Sequence, residues 1–191
     1  MNKKAERGQA TRDQFVALAT QLFAEHGYEG TSIEAVLQAA SVSRGALYHH
    51  FKGKDALFEA VFEAVETDIG RRLQDSAPAG AAPEELLRAG CLAWVRMAVD
   101  PVVRQVVLID APAVLGWHRW REVEERYGLG ALKLGLAATG RFDPGLVDTF
   151  AHMLLAALNE TALQIAASPD PAGQTQRGER AVTELLDRLL R

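Results

Sequence analysis

The most informative stretch of this chain reads TSIEAVLQAASVSRGALYHHFKGK and spans residues 31–54. Its first half shows apolar residues at helical spacing behind Thr31 and Glu34, a pair that fits a capping box. Its second half starts at Ser43, a favourable N-cap, and predicts another short helix. Because residues 41–42 interrupt the apolar pattern, we expect a tight turn between the two helices.

The second of these helices is predicted to have a small, polar and basic outer face. Leu47 and Phe51 lie four residues apart and can both face inward, which leaves Arg44, Gly45 and Tyr48 outward. A short helix of this kind, crossed by a capped supporting helix, is the helix-turn-helix arrangement. Its second helix enters the major groove of DNA, and small residues near its start let the backbone approach the bases.

The run from about residue 11 to residue 57 resembles the N-terminal domain of the TetR (tetracycline-repressor) family of bacterial transcription regulators. It covers roughly a quarter of the chain. The resemblance implies an all-α fold with a three-helix helix-turn-helix head, a helical ligand-binding and dimerisation body, and about nine helices in total. The matching motifs are Phe15 to Tyr28, Thr31 to Ile33, Val42 to Phe51 and Lys54 to Leu57.

Three parts are predicted along the chain. Residues 1–55 form a DNA-binding domain with the helix-turn-helix at 32–51, and residues 56–75 form a linking helix. Residues 76–191 form a regulatory and dimerisation domain, which opens on a linker rich in Ala, Pro and Gly at 76–83.

Apolar periodicity predicts the other helices. Segment 102–109 is rich in β-branched residues and would suit a strand in isolation, but its helical neighbours favour a buried helix. Residues 1–8 are expected to be a solvated tail, although their basic side chains could follow a phosphate backbone. The remaining helices are expected at about 10–26, 84–99, 116–139, 144–165 and 175–191, the fourth with Asp143 as its cap.

Composition limits the classes of function. The net charge is −4, but residues 1–54 carry +2 and the remainder −6, so attraction to phosphate is concentrated at one end. Cys91 is the single cysteine, which excludes an internal disulfide. No signal peptide and no membrane-spanning apolar run are recognised, so we expect a cytoplasmic protein.

The DNA contacts are predicted from the helix-turn-helix and the residue types on it. Arg44 has the donor fork that suits a guanine edge, although a solvated surface role for it stays open. For Lys54, the resemblance implies a contact with operator phosphate, at a helix N-terminus that favours anions. The predicted contacts are Thr31, Ser32, Ser43, Arg44, Gly45, Ala46, Tyr48, His49 and Lys54.

No enzymatic activity, cofactor or metal is predicted. His49 and His50 are adjacent and point about 100° apart on a helix, so they cannot easily chelate one ion. The sequence has no H-E-x-x-H motif, no glycine-rich phosphate loop and no nucleophile elbow.

A small-molecule effector is expected to bind in the C-terminal part, with an apolar or aromatic compound favoured. Aromatic and apolar walls with a few polar groups are typical of ligand pockets, although most of the candidates are individually as well explained as plain core. The candidates are Trp94, Met97, Leu108, Trp117, Trp120, Arg121, Tyr127, Phe150, His152, Met153 and Asn159.

The last two predicted helices are interpreted as a homodimer interface. Small residues such as Ala151, Ala156, Ala157 and Ala162 permit close helix approach, and the resemblance implies pairing through these helices; an intramolecular core is the alternative. The predicted function is that of a dimeric repressor released from a palindromic DNA operator by a small molecule. The rival hypothesis is a ligand-binding or interaction protein whose head does not bind DNA specifically.

Overall fold

The structure is a computed structural model that describes residues 3–191, with side chains from residue 7 onward. All regular secondary structure in this described part is helical, and it forms nine helices, of which the first is kinked at Gly27. The predicted all-α class is therefore confirmed. None of the described helices combines the length and the apolar character that crossing a bilayer requires.

The helices are assigned in chain order. Two of them, α6 and α7, contain a stretch with the wider hydrogen bonding of a π-helix, at Val103–Asp110 in α6 and at Glu125–Leu129 in α7. The bounds are α1 Lys3–Gly30, α2 Ile33–Ala40, α3 Arg44–His50, α4 Lys54–Asp75, α5 Pro83–Met97, α6 Val103–Asp110 continued by Ala111–Val114, α7 Gly116–Glu124 continued by Glu125–Leu129 and Gly130–Ala138, α8 Val147–Ala166 and α9 Pro171–Leu189.

Several predicted boundaries need correction. Helix α1 begins at Lys3, so the predicted tail is helical from residue 3 to residue 8; Met1, Asn2 and the Lys3 and Lys4 side chains lie outside the described residues. Helix α9 begins at Pro171 rather than Thr175, because Asp170 accepts a hydrogen bond from the Gly173 amide and caps the helix there.

The capping box predicted at Thr31 and Glu34 is wrong. Ser32 is the N-cap of α2, and its hydroxyl accepts a hydrogen bond from the Ala35 amide at 3.1 Å. The Thr31 side chain is 2% exposed, and its hydroxyl lies 2.9 Å from the carbonyl of Gly27, to which it donates. Local pattern could not separate two neighbouring hydroxyl residues, because either one suits a cap.

The chain divides into two compact units. The first contains the residues up to Val65 together with Pro101–Arg119, and the second contains Glu66–Asp100 together with Trp120–Arg191. The predicted division at residues 55/56 and 75/76 by role stays a prediction. Segment Pro101–Arg119, which the sequence assigned to the C-terminal domain, lies in the unit that holds the helix-turn-helix.

The first unit has an aromatic core. Phe23 and Phe58 pack edge to face with ring centroids 5.1 Å apart, and both side chains are buried. Helix α6 packs against α1 in this unit, which confirms that the β-branched segment is a buried helix.

The second unit is built from the end of α4, from α5, from α7 from Trp120 onward, and from α8 and α9. Helix α9 packs closely on α8, since a Cβ added at Gly178 would lie 2.9 Å from Thr161 Cγ2. Ala151 and Ala162 are fully buried inside the unit. These two small residues therefore belong to the intramolecular core, which was the alternative to a role at a dimer interface.

Candidate nucleic-acid interface and ligand cavity

The outer face of α3 is accessible in the first unit. Leu47 is fully buried, whereas Tyr48 is 46% exposed and Arg44, Gly45 and His49 are also exposed. Ala46 is half-buried at the edge of this face. We define the α3 outer face by Arg44, Gly45, Ala46, Tyr48 and His49.

The inner face of α3 is anchored to α1. The ring of His50 lies 6.2 Å from that of Phe15, and the ring of Phe51 lies 6.3 Å from Phe15 on the adjoining side. The guanidinium of Arg12 lies 5.2 Å from the Phe51 ring centroid, in the range of a cation–π contact. These contacts hold α3 with its outer face toward solvent.

Arg44 is engaged by a neighbouring carboxylate. Its Nη2 donates to Glu34 Oε1 at 2.8 Å, and both side chains are about two-thirds exposed. The guanidinium also lies 5.8 Å from the ring centroid of Tyr48. Since exposed ion pairs contribute only about 0–1 kcal/mol, this pair can give way to a stronger anionic partner.

Lys54 is the first residue of α4 and lies over an aromatic ring. Its Nζ is 4.0 Å from the ring centroid of Tyr28, whose hydroxyl donates a hydrogen bond to Asp55. Burial, together with Asp55, raises the pKa of Tyr28 to about 12, so this hydroxyl stays protonated. Lys54 thus lies at a helix N-terminus, where an anion is favoured, with its ammonium over the Tyr28 ring.

The predicted hydroxyl contacts differ in their exposure. Ser32 and Ser43 are exposed at the starts of α2 and α3, and the Ser43 side chain makes no capping hydrogen bond. Thr31 is buried, so its side chain is not at the surface and its predicted phosphate contact has no geometric support.

Hydrogen bonds to Asp110 of α6 hold the end of α1 that leads into the helix-turn-helix. The Tyr28 amide donates to Asp110 Oδ2 at 2.7 Å, and Gln105 Nε2 donates to Asp110 Oδ1 at 3.0 Å. Gly27 has φ +70°, and a Cβ there would lie 3.1 Å from Gln105 Nε2. Gly27 directly follows the first predicted helix, at 10–26. It marks a kink whose backbone conformation only glycine readily adopts.

The second unit encloses a cavity of about 300 Å³. Apolar side chains from α4, α5, α7 and α8 form most of its wall. Three of the sequence-predicted ligand residues line it, namely Trp94, Tyr127 and Asn159. The others do not: Met97, Leu108, Trp117, Trp120, Arg121, Phe150, His152 and Met153 lie elsewhere.

These eight residues are spread over both units. Leu108 and Trp117 belong to the first unit, and Met97 and Trp120 are buried in the second. Met153 is 62% exposed, as expected for a surface rather than a pocket. A ligand role for them stays a prediction that the cavity does not support.

Two buried acids, Glu66 and Glu124, were not predicted from the sequence. Each is 4% exposed and lines the cavity. Asn159 donates a hydrogen bond to Glu124 Oε2, whereas Glu66 Oε1 and Glu124 Oε1 have no hydrogen-bond partner among the described residues. Burial raises the pKa of Glu66 to about 8, and burial followed by the charge of Glu66 raises that of Glu124 well above its usual value.

Helical spacing carries the signal that would have found both acids. Glu66 lies four residues after Phe62 and three before Ile69, on the apolar stripe of α4. Glu124 lies four residues after Trp120 on the inward face of α7. An acid inside an apolar stripe indicates a buried carboxyl.

Both the N-terminal and the C-terminal part of the chain match families of known proteins. Residues 15–61 match bacterial regulatory proteins of the tetR family, and residues 84–189 match the tetracyclin repressor-like C-terminal domain. The HTH-type transcriptional regulator AcrR of Shigella flexneri is 40% identical over 68 residues, which are 36% of this chain and 32% of the relative. The repressor Rv1474c of Mycobacterium tuberculosis is 46% identical over 52 residues, 27% of this chain and 28% of the relative.

These matches span about a third or less of the curated relatives' length. A solved structure extends the likeness over nearly the whole chain. The crystal structure of a TetR-family transcriptional regulator from Pectobacterium atrosepticum is 31% identical, covers 95% of this chain and 94% of its own, and superposes with a TM-score of 0.82. The chain therefore belongs to the TetR family, whose members are DNA-binding regulatory proteins.

Proposed function

We propose that this protein is a transcription regulator that represses by binding a palindromic DNA operator as a dimer. The observation that carries the proposal is the accessible α3 outer face, set on a buried Leu47. Two such helices, related by a twofold axis, would enter successive major grooves about 34–36 Å apart. Such an operator lies on the bacterial chromosome, and the expected cytoplasmic localisation follows from that.

On operator DNA, we expect different residues of the helix-turn-helix to make different kinds of contact. Arg44 would read a guanine edge once it leaves Glu34, and Gly45 and Ala46 would let α3 approach the bases closely. Tyr48 and His49 would reach phosphates or base edges. Ser32, Ser43 and Lys54 would contact the phosphate backbone, which fixes register without reading sequence.

The proposed dimer uses the exposed faces of α8 and α9. Met153 on α8 is 62% exposed and Leu185 on α9 is 42% exposed. Large apolar side chains at the surface of two adjacent helices are typical of an isologous dimer interface. Ala156 is also exposed on the same face of α8 as Met153 and would allow close approach.

The proposed effector site is the cavity of the second unit. Its volume and apolar walls suit a small organic molecule. Helix α4 supplies cavity residues from Glu66 onward and carries Lys54 at its start, so a ligand that shifts this helix would act on the DNA-binding residues. We propose that the effector favours a conformation that no longer matches both grooves.

The test is selection from a random duplex pool with purified protein at physiological salt, followed by measured affinities for the recovered sequence. We expect one inverted repeat, and an affinity that falls steeply as salt rises. A double variant, Arg44→Ala with Tyr48→Ala, should lose at least tenfold in operator affinity and stay dimeric. Failure of folded, dimeric protein to enrich any sequence, with and without candidate effectors, would falsify the proposal.

One observation favours the rival function. Arg44 is already paired with Glu34, and the residues of the head carry a net charge of only +2, so attraction to DNA is modest. A protein that only binds ligand or a partner would show the same weak affinity for every duplex. The pool selection separates the two, because only a regulator prefers one repeat.

A further inference from the structure

The cavity of the second unit presents acids and no bases. Glu66 and Glu124 line it, and no lysine, arginine or histidine is among the described residues that do so. Apart from Gln74 and Asn159, the rest of the wall is mostly apolar and includes the rings of Trp94 and Tyr127. A ligand that enters meets carboxyl groups and aromatic rings, which both attract positive charge.

Several polar atoms at this cavity lack a partner. Glu66 Oε1, Glu124 Oε1 and Asn159 Oδ1 have no hydrogen-bond partner among the described residues, and all three side chains are more than nine-tenths buried. Trp94 Nε1 is also a buried atom with no hydrogen-bond partner among the described residues, although the Trp94 side chain as a whole is half-buried. Because buried polar groups in folded proteins are nearly always satisfied, this cluster marks the place where a ligand's polar group belongs.

The charge state of the acids depends on what fills the cavity. Burial raises the pKa of Glu66 to about 8, so near neutral pH an empty cavity holds it mostly protonated. Arg121 and Glu125 act on Glu124 in opposite directions from its own helix. The other titratable groups at the cavity wall are Cys91, whose thiol pKa burial raises to about 12, and Tyr127.

We propose that the cavity binds an organic cation, a quaternary or protonated amine on an aromatic or apolar body, with Glu66 and Glu124 as its charge partners. The inference rests on the proposed function, because it takes this cavity to be the effector site. An anionic ligand would find no basic side chain there. A metal ion is disfavoured, since no cluster of three or more His, Cys, Asp or Glu side chains in the described part of the chain could hold one.

The site couples cation binding to proton loss. A cation stabilises the carboxylate form of Glu66 and Glu124, so each acid that ionises on binding gives its proton to the solvent. At pH 7 the ionisation of Glu66 alone is unfavourable by about tenfold, one unit below its pKa of about 8. Affinity for a cation of fixed charge should therefore rise with pH.

The test compares phenyltrimethylammonium with tert-butylbenzene, a neutral molecule of the same shape. Titration calorimetry on the full chain should show the cation binding at least tenfold tighter than the neutral isostere at pH 8.5. The preference should shrink at pH 6, two units below the pKa of Glu66, because Glu66 is then protonated. At pH 7, buffers of different ionisation enthalpy should reveal proton release on cation binding.

Charge-neutral variants supply the control. Glu66→Gln and Glu124→Gln should each weaken cation binding about tenfold and leave binding of the neutral isostere unchanged. Glu122→Gln alters an exposed glutamate of the same helix that neither lines the cavity nor acts on the pKa of Glu124, and it should change neither. Equal binding of both probes at pH 8.5, tighter binding of benzoate, or cation binding insensitive to both substitutions would overturn the proposal.

These measurements involve no DNA, so they fail separately from the proposed function. If the cation binds as expected but never alters operator affinity, the cation site stands and control of the operator by this cavity does not. If a neutral or anionic compound releases the operator and the cation does not bind, the regulator stands and the cation site does not.

Discussion

Arg44 is the side chain that we propose reads a base edge, and in the structure it is paired with a carboxylate. Glu34 Oε1 lies 2.8 Å from its Nη2, and an acid beside the α3 outer face also repels phosphate. In the proposed complex with operator DNA, the ion pair of Arg44 with Glu34 must break before the Arg44 guanidinium can contact a base. The exposed pair contributes little to folding, so its main consequence falls on DNA affinity.

Glu34→Gln should therefore strengthen operator binding by about two- to fivefold, the equivalent of one exposed ion pair. Fluorescence anisotropy with the selected duplex at fixed salt measures the change. Glu25→Gln removes the same charge from an exposed site on α1 and should have a smaller effect. Equal gains from both variants would mean that net charge matters and the Arg44 pair does not.

Two glycines of the head have opposite requirements. Gly27 has φ +70° with Gln105 close to its Cα, whereas Gly45 is helical and a Cβ there would touch nothing within 4 Å. Gly27→Ala should lower the free energy of unfolding by about 1–3 kcal/mol. Gly45→Ala should raise it by about 0.5–1 kcal/mol and still weaken operator binding, because the methyl group stands on the α3 outer face.

Urea unfolding and duplex titration of the two glycine variants separate folding from DNA contact. A Gly45→Ala protein that is more stable and binds DNA as well as the parent would remove this position from the interface. A Gly27→Ala protein of unchanged stability would show that the kink relaxes without cost.

At the scale of helices, α7 connects two different environments along one continuous element. Near its start, the guanidinium of Arg119 lies 2.8 Å from the Glu59 carboxylate and 3.3 Å from that of Glu63, both on α4. At the end of the first segment of α7, Glu124 lines the cavity. A ligand at Glu124 that moves α7 would pull on the Arg119 contacts.

Arg119→Met should accordingly weaken the link between ligand and operator. It removes the charge and keeps an apolar stem, so we expect phenyltrimethylammonium affinity within about twofold of the parent, with an effect of that cation on operator affinity at least about threefold smaller. Arg126→Met, an exposed change on the same helix, should leave the coupling intact. Undiminished coupling in the Arg119 variant would exclude this route.

The positions of the helices were predicted well from the sequence, but the side chains against which each helix packs were not. The helices expected at 56–75 and 84–99 lie within two residues of α4 and α5 at each end, because spacing and caps are local properties. The wide turns at Glu125–Leu129 were not expected. This stretch contains Gly128, a residue type that disfavours a continuous helix. It also places Tyr127 at the cavity wall.

For the whole molecule, dimerisation is the property that a palindromic operator requires. Leu185→Glu places a charge on the proposed α9 interface and should shift the protein to monomer in sedimentation velocity, with a matching loss of operator affinity. Val99→Glu is the control, because Val99 is 43% exposed, much as Leu185 is at 42%, and lies outside α8 and α9. A Leu185→Glu protein that remains dimeric would locate the interface elsewhere.

Stability of the whole chain should respond to pH through Glu66. Its folded pKa of about 8 is raised from 4.5, so the folded state keeps a proton that the unfolded state loses between these values. Raising pH through this window therefore favours unfolding, by up to about 1.4 kcal/mol per pH unit from this group. Urea unfolding at pH 5 and pH 8 should show a smaller loss for Glu66→Gln than for the parent, and equal losses would contradict the buried acid.

The helix-turn-helix was determined by the sequence alone, since caps, short turns and residues four apart act between neighbours in the chain. Leu47 buried beneath Arg44 and Tyr48 follows from that spacing. Only the tertiary structure decided which residues meet in the cavity. Glu66, Glu124 and Asn159 come from α4, α7 and α8, and periodicity can mark a buried face without naming the side chains opposite it.

The same distinction explains the placement of Pro101–Arg119. The burial of residues 102–109 was predicted, but the packing of this segment against α1 through Gln105 and Asp110 was not. A segment far along the chain finds its partners by shape and by hydrogen bonds that local sequence does not encode. Local spacing thus determined the DNA-binding element, and long-range packing determined the cavity that we propose controls it.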